Sequence, residues 1–221
     1  MKNLLAAFLF SALLGPIPLS ADVVFVSPDA VSASNTNHPL PVKPENLIDR
    51  SGLGAGNINV ANIGTFAHSD GIAADLWRGS SSALPITLTF EFNNARQVGY
   101  VGLWQALDLR EGTRDFELAF FDGAGGTGNQ IGDVYSGTLD TGIGGDNSLS
   151  LDGRAFFVGK RDDVSSFTMT ITSVAHQVNP HVHLGEVMVA AVPEPGSCFV
   201  LAFSTIAFLS CRRRRRHSHN G

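Results

Sequence analysis

Three histidines near the end of the chain come closest, in type and spacing, to a metal site. They are His176, His181 and His183, within residues 173–183. Alternate residues of a β-strand point to the same side, so His181 and His183 would face one way and His176 could approach them. Zinc accepts three imidazoles, but nothing here orients such ligands or supplies the general base that catalytic zinc needs. A polar loop that leads into the last strand explains the same residues.

Signals for catalysis are weak in the rest of the sequence. The glycines of residues 122–128 follow a predicted strand and open no helix, which argues against a dinucleotide-binding loop. The sequence contains neither a Gly-x-Ser-x-Gly nor a His-Glu-x-x-His motif. Carboxylate pairs such as Asp162 with Asp163, or Asp108 with Glu111, occur in almost any acidic protein. We therefore expect a protein that is not an enzyme.

The last thirty residues consist of three parts in a fixed order. Pro193, Glu194 and Pro195 come first, and an apolar run follows at residues 197–211. The run is shorter than the ~20 residues of a typical membrane span, but it lacks the polar face of a globular helix. Five arginines end it, and they should remain cytoplasmic by the positive-inside rule: Arg212, Arg213, Arg214, Arg215 and Arg216. The pattern predicts a transmembrane segment at 197–211, with the preceding residues across the membrane.

Residues 192–221 resemble the PEP-CTERM sorting signal of bacteria that make extracellular polysaccharide. The resemblance covers the Val-Pro-Glu-Pro motif, the apolar run and the arginine cluster. In that family the signal is recognised by an exosortase, a membrane enzyme that removes or exchanges the tail after export. The resemblance therefore implies an exosortase-type processing partner and a transient stay in the inner membrane. An ordinary C-terminal membrane anchor is the alternative interpretation.

The N-terminus is typical of a secretory signal peptide. Lys2 precedes an apolar stretch at residues 4–14, and the small residues Ser20 and Ala21 provide a cleavage site. We predict a signal peptide at residues 1–21 and a mature chain of about residues 22–195. The protein should then be exported to the cell surface or to a secreted matrix.

The exported part is strongly acidic and contains no cysteine. It holds nine of the 15 basic residues and all 20 acidic residues, so its formal net charge is −11. A surface this negative repels phosphate backbones, which argues against a nucleic-acid partner. About 174 residues suffice for one domain with a core. Both cysteines flank the apolar run at its ends, so the domain must be stabilised by burial without disulfides.

The periodicity between the two ends is that of β-strands. In residues 86–92, Ile86, Leu88, Phe90 and Phe92 alternate with polar residues, which places one face in a core and the other in water. Gly-, Asn- and Asp-rich turns separate the segments, and no helical pattern extends over three turns. Further strands are predicted at 23–26, 98–104, 116–120, 131–135, 155–158, 167–171 and 182–189. The pattern favours an all-β fold, an antiparallel sandwich or jelly roll.

The order of several short segments resembles the discoidin family, also called the coagulation factor V and VIII C-type domain. The matching segments are residues 44–53, 76–79, 86–92, 98–104, 112–118, 164–172 and 184–187. The resemblance implies a galactose-binding-like jelly-roll β-sandwich over residues 22–191. It departs from the family in a long insert between Ser51 and Leu76 and in the missing cysteines. Family members mostly bind sugars, lipid headgroups or proteins through loops at one end of the sandwich.

The resemblance also implies a metal. Many galactose-binding-like domains hold one structural Ca²⁺ near the first turn and the last strand. The matching positions are Asp49, the carbonyls of residues 50–54 and Glu186. Calcium prefers such oxygen ligands, although a hydrogen-bonding role for the two carboxylates is an equally reasonable interpretation.

Four polar residues are candidates for hydrogen bonds to sugar hydroxyls: His68, Arg78, Tyr100 and Arg110. Ordinary solvated surface is the simpler interpretation of each one. Trp77 and Trp104 could stack on sugar rings, but both coincide with structural positions of the family, and we expect them in the core.

Taken together, these residues predict an exported, non-catalytic binding module that recognises carbohydrate in the cell envelope or in an extracellular polysaccharide matrix. A matrix-structural or adhesion protein that binds another protein is the first alternative. A carbohydrate-active enzyme is the second.

Overall fold

Alternating apolar residues form two long antiparallel strands that determine the architecture. In the computed structural model these are β3 (Ile86–Trp104) and β6 (Arg154–Ile171), paired along nearly their whole length. The structure describes residues 23–35, 42–68, 75–105, 112–139, 152–174 and 181–192. The other strands are β1 (Ala30–Ala33), β2 (Trp77–Ser80), β4 (Asp115–Phe121), β5 (Tyr135–Thr138), β7 (His181–Leu184) and β8 (Glu186–Ala190).

The strands form a six-stranded sheet and a two-stranded sheet. The larger sheet has the order β1-β3-β6-β4-β5, and β8 pairs with β3. The smaller sheet consists of β2 and β7. All these strand pairs are antiparallel. The helical elements described are short 3₁₀ turns at Pro44–Leu47, Ile63–Thr65, Ser81–Ala83 and Ala124–Gly126. The prediction of an antiparallel all-β fold is confirmed for the described residues.

The β3–β6 ribbon bends over its own core. Its register shifts three times between Glu91 and Tyr100, and such bulges increase the local bend of a strand. Phe90, from before the bend, and Leu103, from after it, are buried in the same apolar cluster. The sequence pattern predicts separate strands at 86–92 and 98–104, and likewise at 155–158 and 167–171. The structure joins each pair into one bent strand, because the bulges change direction without ending the pairing.

A second apolar cluster covers the outer face of this layer. On β8, Val187 and Val189 point into the main core, whereas Met188 and Ala190 point into the second cluster. The second cluster also contains Trp104, whose ring meets Phe25 edge-on at a centroid distance of 6.4 Å. Burial on both faces explains why β8 reads as a continuous apolar run rather than an alternating one.

Three predicted strands differ from the structure. Residues 23–26 form isolated bridges, Val24 with Asn59 and Val26 with Val189, rather than a strand. The predicted strand 131–135 is displaced toward β5, which begins at Tyr135. Residues 182–189 form two strands, because β7 pairs with β2 while β8 pairs with β3, and the chain changes partner at Gly185. Residues 22–192 nevertheless form one compact unit.

Candidate functional site

The ends of several strands converge at one end of the sandwich. Gly112 bridges to His183, and Thr113 donates two hydrogen bonds to the His183 carbonyl, from its amide at 3.3 Å and its hydroxyl at 3.0 Å. The amide of Gly185 donates to the carbonyl of Trp104 at 2.9 Å. We call this region the loop end and define it by five polar residues: His68, Arg78, Gln105, Thr113 and His183. His68 lies next to residues 69–74, and Gln105 and Gly112 lie on either side of residues 106–111, two stretches that the structure does not describe.

Arg78 and His183 form a cross-strand pair at the loop end. They lie opposite each other in the β2–β7 ladder, and Nε of Arg78 donates a hydrogen bond to Nε2 of His183. His183 is buried, whereas Arg78 is half-buried. The contact fixes the plane of the guanidinium group, whose donors suit hydroxyl and carboxylate oxygens.

His68 is placed at the loop end but is buried, with 2% of its surface exposed. Two glycines make room for its ring. A Cβ atom on Gly52 would overlap the imidazole, and one on Gly185 would lie 2.9 Å from its Cδ2 atom. The prediction that His68 contacts a ligand stays a prediction, and its visible role is to pack between these two turns.

Gln105 and Thr113 belong to the same region, although sequence reasoning missed both. The side-chain amide of Gln105 donates to the Thr113 carbonyl at 2.5 Å, and both side chains are buried. The available signal was a polar residue directly after the apolar run of β3. Such a residue ends a strand, and its buried amide requires partners.

Tyr100 lies away from the loop end. It is within β3, five residues before Gln105 or roughly 17 Å along an extended strand. Its ring packs against Phe157 with a centroid distance of 5.0 Å, and Phe157 is 57% exposed. Of the four predicted sugar contacts, the structure therefore brings His68 and Arg78 to one end and separates Tyr100 from them. Arg110 lies outside the described residues.

The histidine hypothesis receives no support from geometry. His181 and His183 occupy alternate positions of β7, as predicted, but His183 is engaged by Arg78. His176 lies outside the described residues. Within the described ranges, no group of three or more His, Cys, Asp or Glu side chains could hold a metal ion.

Among the buried residues that the structure describes, Glu186 is the only Asp, Glu, Lys or Arg. Its carboxylate faces the turn that contains Asp49. It is 0% exposed at the start of β8. Both of its oxygens accept the backbone N–H of Arg50, at 3.3 and 3.2 Å. Arg50 has a φ of 60°, a left-handed conformation that costs a residue with a Cβ atom roughly 1–2 kcal/mol. The turn aims its amide at Glu186 in spite of this cost.

The electrostatics of Glu186 reflect its removal from water. Burial raises the pKa of Glu186 from its ordinary value of 4.5 to about 8. The Arg50 amide and guanidinium oppose this increase in the pKa, and the nearby Asp49 charge adds to it. Asp49 itself is exposed, and its Oδ1 accepts the Ser51 amide at 2.9 Å. The site thus places the buried Glu186 carboxyl near the negative charge of Asp49, an arrangement that a proton on Glu186 or a cation relieves.

Trp77 and Trp104 are both in the core, as predicted. Each is 0% exposed, and the Trp104 indole N–H donates to the Phe66 carbonyl at 2.8 Å. Neither ring can therefore serve as a sugar platform in this structure.

The two predicted targeting segments lie outside the described residues. They comprise the signal peptide at residues 1–21 and the sorting signal at residues 192–221, of which only Val192 is described. In the part of the chain that the structure describes, no helix has the length and apolar character needed to cross a bilayer.

Comparisons with known proteins show the fold. No protein-family model matches the chain, and no curated protein sequence matches it. The structure is similar to truncated AlyQ with CBM32 and alginate lyase domains, at a TM-score of 0.50 and 17% identity, over 80% of this chain and 36% of that one.

Two modules from Clostridium perfringens are similar as well. One is CpGH89CBM32-5 in complex with GalNAc-β-1,3-galactose, with a TM-score of 0.49, 11% identity, and coverage of 73% and 94% of the two chains. The other is the family 32 CBM of NanJ in complex with galactose. Its TM-score is 0.46 and its identity is 16%, and the match covers 73% of this chain and 92% of that one. The predicted antiparallel β-sandwich is confirmed at the level of the fold.

Proposed function

We propose that this protein is an exported, non-catalytic module that binds carbohydrate through its loop end. The observation that carries the proposal is the Arg78–His183 pair among the buried polar groups of the loop end. Sugar recognition needs several hydrogen-bond donors and acceptors held in fixed positions, because a flexible site loses conformational entropy on binding. Arg78 is half-buried and oriented by His183, so it meets this need.

Support from the fold is limited to architecture. The sandwich that this chain shares with carbohydrate-binding modules places loops at its ends, where a ligand can be reached without disturbing the core. The proposal therefore depends on this chain's own residues and not on the ligands of similar structures.

A glycan array with residues 22–195 tests the proposal. The array includes the polysaccharide of the producing cell, and we expect binding to at least one of the glycans on it. Binding to no glycan would refute the carbohydrate function and would favour a protein partner in the matrix. Hydrolysis or elimination products from any bound glycan would contradict the non-catalytic part of the proposal.

We also propose one structural Ca²⁺ between Asp49 and Glu186. The residues fit such an ion, because a fully buried carboxylate with a raised pKa lies beside a second carboxylate in a tight turn. Calcium takes six to eight oxygen ligands, so backbone carbonyls of residues 50–54 would have to complete the set. The ion would neutralise the two charges and would join the turn to the start of β8.

Export and sorting complete the proposal. The signal peptide would direct the chain across the inner membrane, and the apolar run at 197–211 would hold it there transiently. An exosortase-type enzyme would then recognise Pro193, Glu194 and Pro195 and release the domain to the cell surface or matrix. The order of the three C-terminal features in the sequence supports this part.

A further inference from the structure

The last described residues of the chain are held by the folded sheet. Beyond β8, Ala191 is exposed and Val192 is half-buried. The Val192 amide donates a hydrogen bond of 3.0 Å to Oε1 of Gln97 on β3. The Val192 side chain lies over Gly99, where an added Cβ atom would overlap its Cγ2 atom. Val192 is therefore part of the domain and not of a linker.

The Gln97 side chain is oriented by a second contact. Its Nε2 atom donates to Oδ1 of Asp162 at 2.9 Å, and Nζ of Lys160 lies 3.5 Å from the same oxygen. Donation from Nε2 on one side leaves Oε1 directed at Val192 on the other. We call Gln97, Asp162 and Val192 the C-terminal clasp.

The clasp lies directly before the proposed sorting motif. Pro193 follows Val192 in the sequence without a spacer. Because a residue that precedes proline favours extended conformations and proline has a fixed φ, Val192 and Pro193 offer little backbone freedom with which the motif could adapt to an enzyme while Val192 stays bound. An enzyme that processes a peptide segment must bind it as free, extended chain, and the rate then follows the population of the open form.

We propose that Gln97 is a positioning residue that limits processing of the Pro193–Glu194–Pro195 motif by holding Val192 on the sheet. This inference rests on the proposed sorting function. The folded domain restrains its own release, and the enzyme acts on the minor population in which the clasp is open.

Two measurements on Gln97→Ala test the inference. Loss of one hydrogen bond should raise the open population by about three- to tenfold, because loss of a neutral hydrogen bond changes the equilibrium constant for local opening by about this factor. In purified full-length chain, hydrogen exchange at the Val192 amide should accelerate by that factor. In the producing cell, conversion of the full-length chain to the processed form should accelerate to a similar extent.

Controls separate the clasp from other effects. Gln130→Ala removes an amide bond to the Gly132 carbonyl elsewhere and should change neither rate. A six-residue Gly-Ser insertion between Val192 and Pro193 should accelerate processing, and Gln97→Ala should add nothing in that background. If Gln97→Ala melts at a much lower temperature, Asp162→Ala replaces it, since it leaves the Gln97 side chain in place and removes the contact that orients its amide, together with the ion pair between Asp162 and Lys160.

Several outcomes would overturn the inference. One is a faster Val192 exchange with an unchanged processing rate, and another is an insertion that leaves the rate unchanged. Replacement of Pro193, Glu194 and Pro195 by alanine reports on the sorting function separately. If that variant is still processed normally, the sorting proposal fails and the clasp inference fails with it. If it is not processed while Gln97→Ala behaves as wild type, the clasp inference alone fails.

Discussion

Neutralising Glu186 should stabilise the metal-free protein at alkaline pH and abolish its response to calcium. The substitution is Glu186→Gln, which preserves the shape of the side chain and removes its charge. The reason is the carboxylate's position: it is 0% exposed and its pKa is raised by burial to about 8. Without a cation, the folded protein must either keep a proton on Glu186 or hold a buried charge.

The size and sign of the effect follow from linkage. The folded state binds the Glu186 proton more tightly than the unfolded state, whose pKa is near 4.5. The contribution of Glu186 to stability therefore falls as pH rises from about 4.5 to about 8 and is constant on either side of that window. The difference between the two pKa values corresponds to about 5 kcal/mol as an upper figure, since each tenfold change in a dissociation constant is worth about 1.4 kcal/mol.

The assay is thermal or urea unfolding of residues 22–195 in EDTA, from pH 5 to pH 9. We expect the free energy of unfolding of the wild type to fall across this range, and that of Glu186→Gln to fall much less. Added Ca²⁺ should restore the wild type above pH 7 by about 3 kcal/mol at a hundredfold excess over Kd, and should leave the variant unchanged. Glu117→Gln, at an exposed position of β4, is the matched control and should behave as wild type in both tests.

Two results would refute this reasoning. If the wild type and Glu186→Gln lose stability equally with rising pH in EDTA, the titration of Glu186 does not cause the pH dependence of unfolding. If Ca²⁺ stabilises both proteins equally, a calcium site exists elsewhere and the assignment to Asp49 and Glu186 is wrong.

Three further predictions concern the loop end, the core and the tail. Arg78→Lys should weaken glycan binding about tenfold, because lysine cannot reproduce the planar donor set, whereas Arg96→Lys at the bend of β3 should have no effect in the same titration. Gly153→Ala should lower the free energy of unfolding by about 1–3 kcal/mol, since its Cβ would overlap the Trp104 ring. Gly54→Ala is the control and should not lower it, because a Cβ there has nothing within 4 Å. Equal stability of the two variants would contradict the packing shown. Replacing Pro193, Glu194 and Pro195 with alanine should leave export intact but retain the full-length chain in the inner membrane, as judged by fractionation and immunoblotting; normal release would mean that the tail is only an anchor.

Much of the fold could be predicted from local patterns. Ile86, Leu88 and Phe90 alternate with polar residues, and all three are buried in the main core. Alternation is visible in sequence because it reflects the two faces of one strand. The predicted break in the strand between residues 92 and 98 was wrong, because polar residues occur both at a β-bulge and at the end of a strand. Only the continued pairing of β3 with β6 distinguishes the two.

The candidate site was only partly visible. Asp49 and Glu186 were paired by resemblance, and the structure does bring Glu186 to the turn that follows Asp49. Among the predicted sugar contacts, Arg78 fits the proposed role, while Tyr100 lies on another part of the surface. The only signal for Gln105 was its position directly after the apolar run of β3, which is too common to indicate a site, and Thr113 gave no signal.

The sequence by itself determined the strand periodicity, the acidic and cysteine-free character of the exported part, and the order of features at both ends. These are properties of neighbouring residues and of composition. Tertiary structure alone decided which distant residues meet. Arg78 and His183 are 105 positions apart, and Arg50 and Glu186 are 136 apart. Their contacts depend on strand register and on the bend of β3 and β6, and both are set by the packing of the whole core rather than by any local pattern.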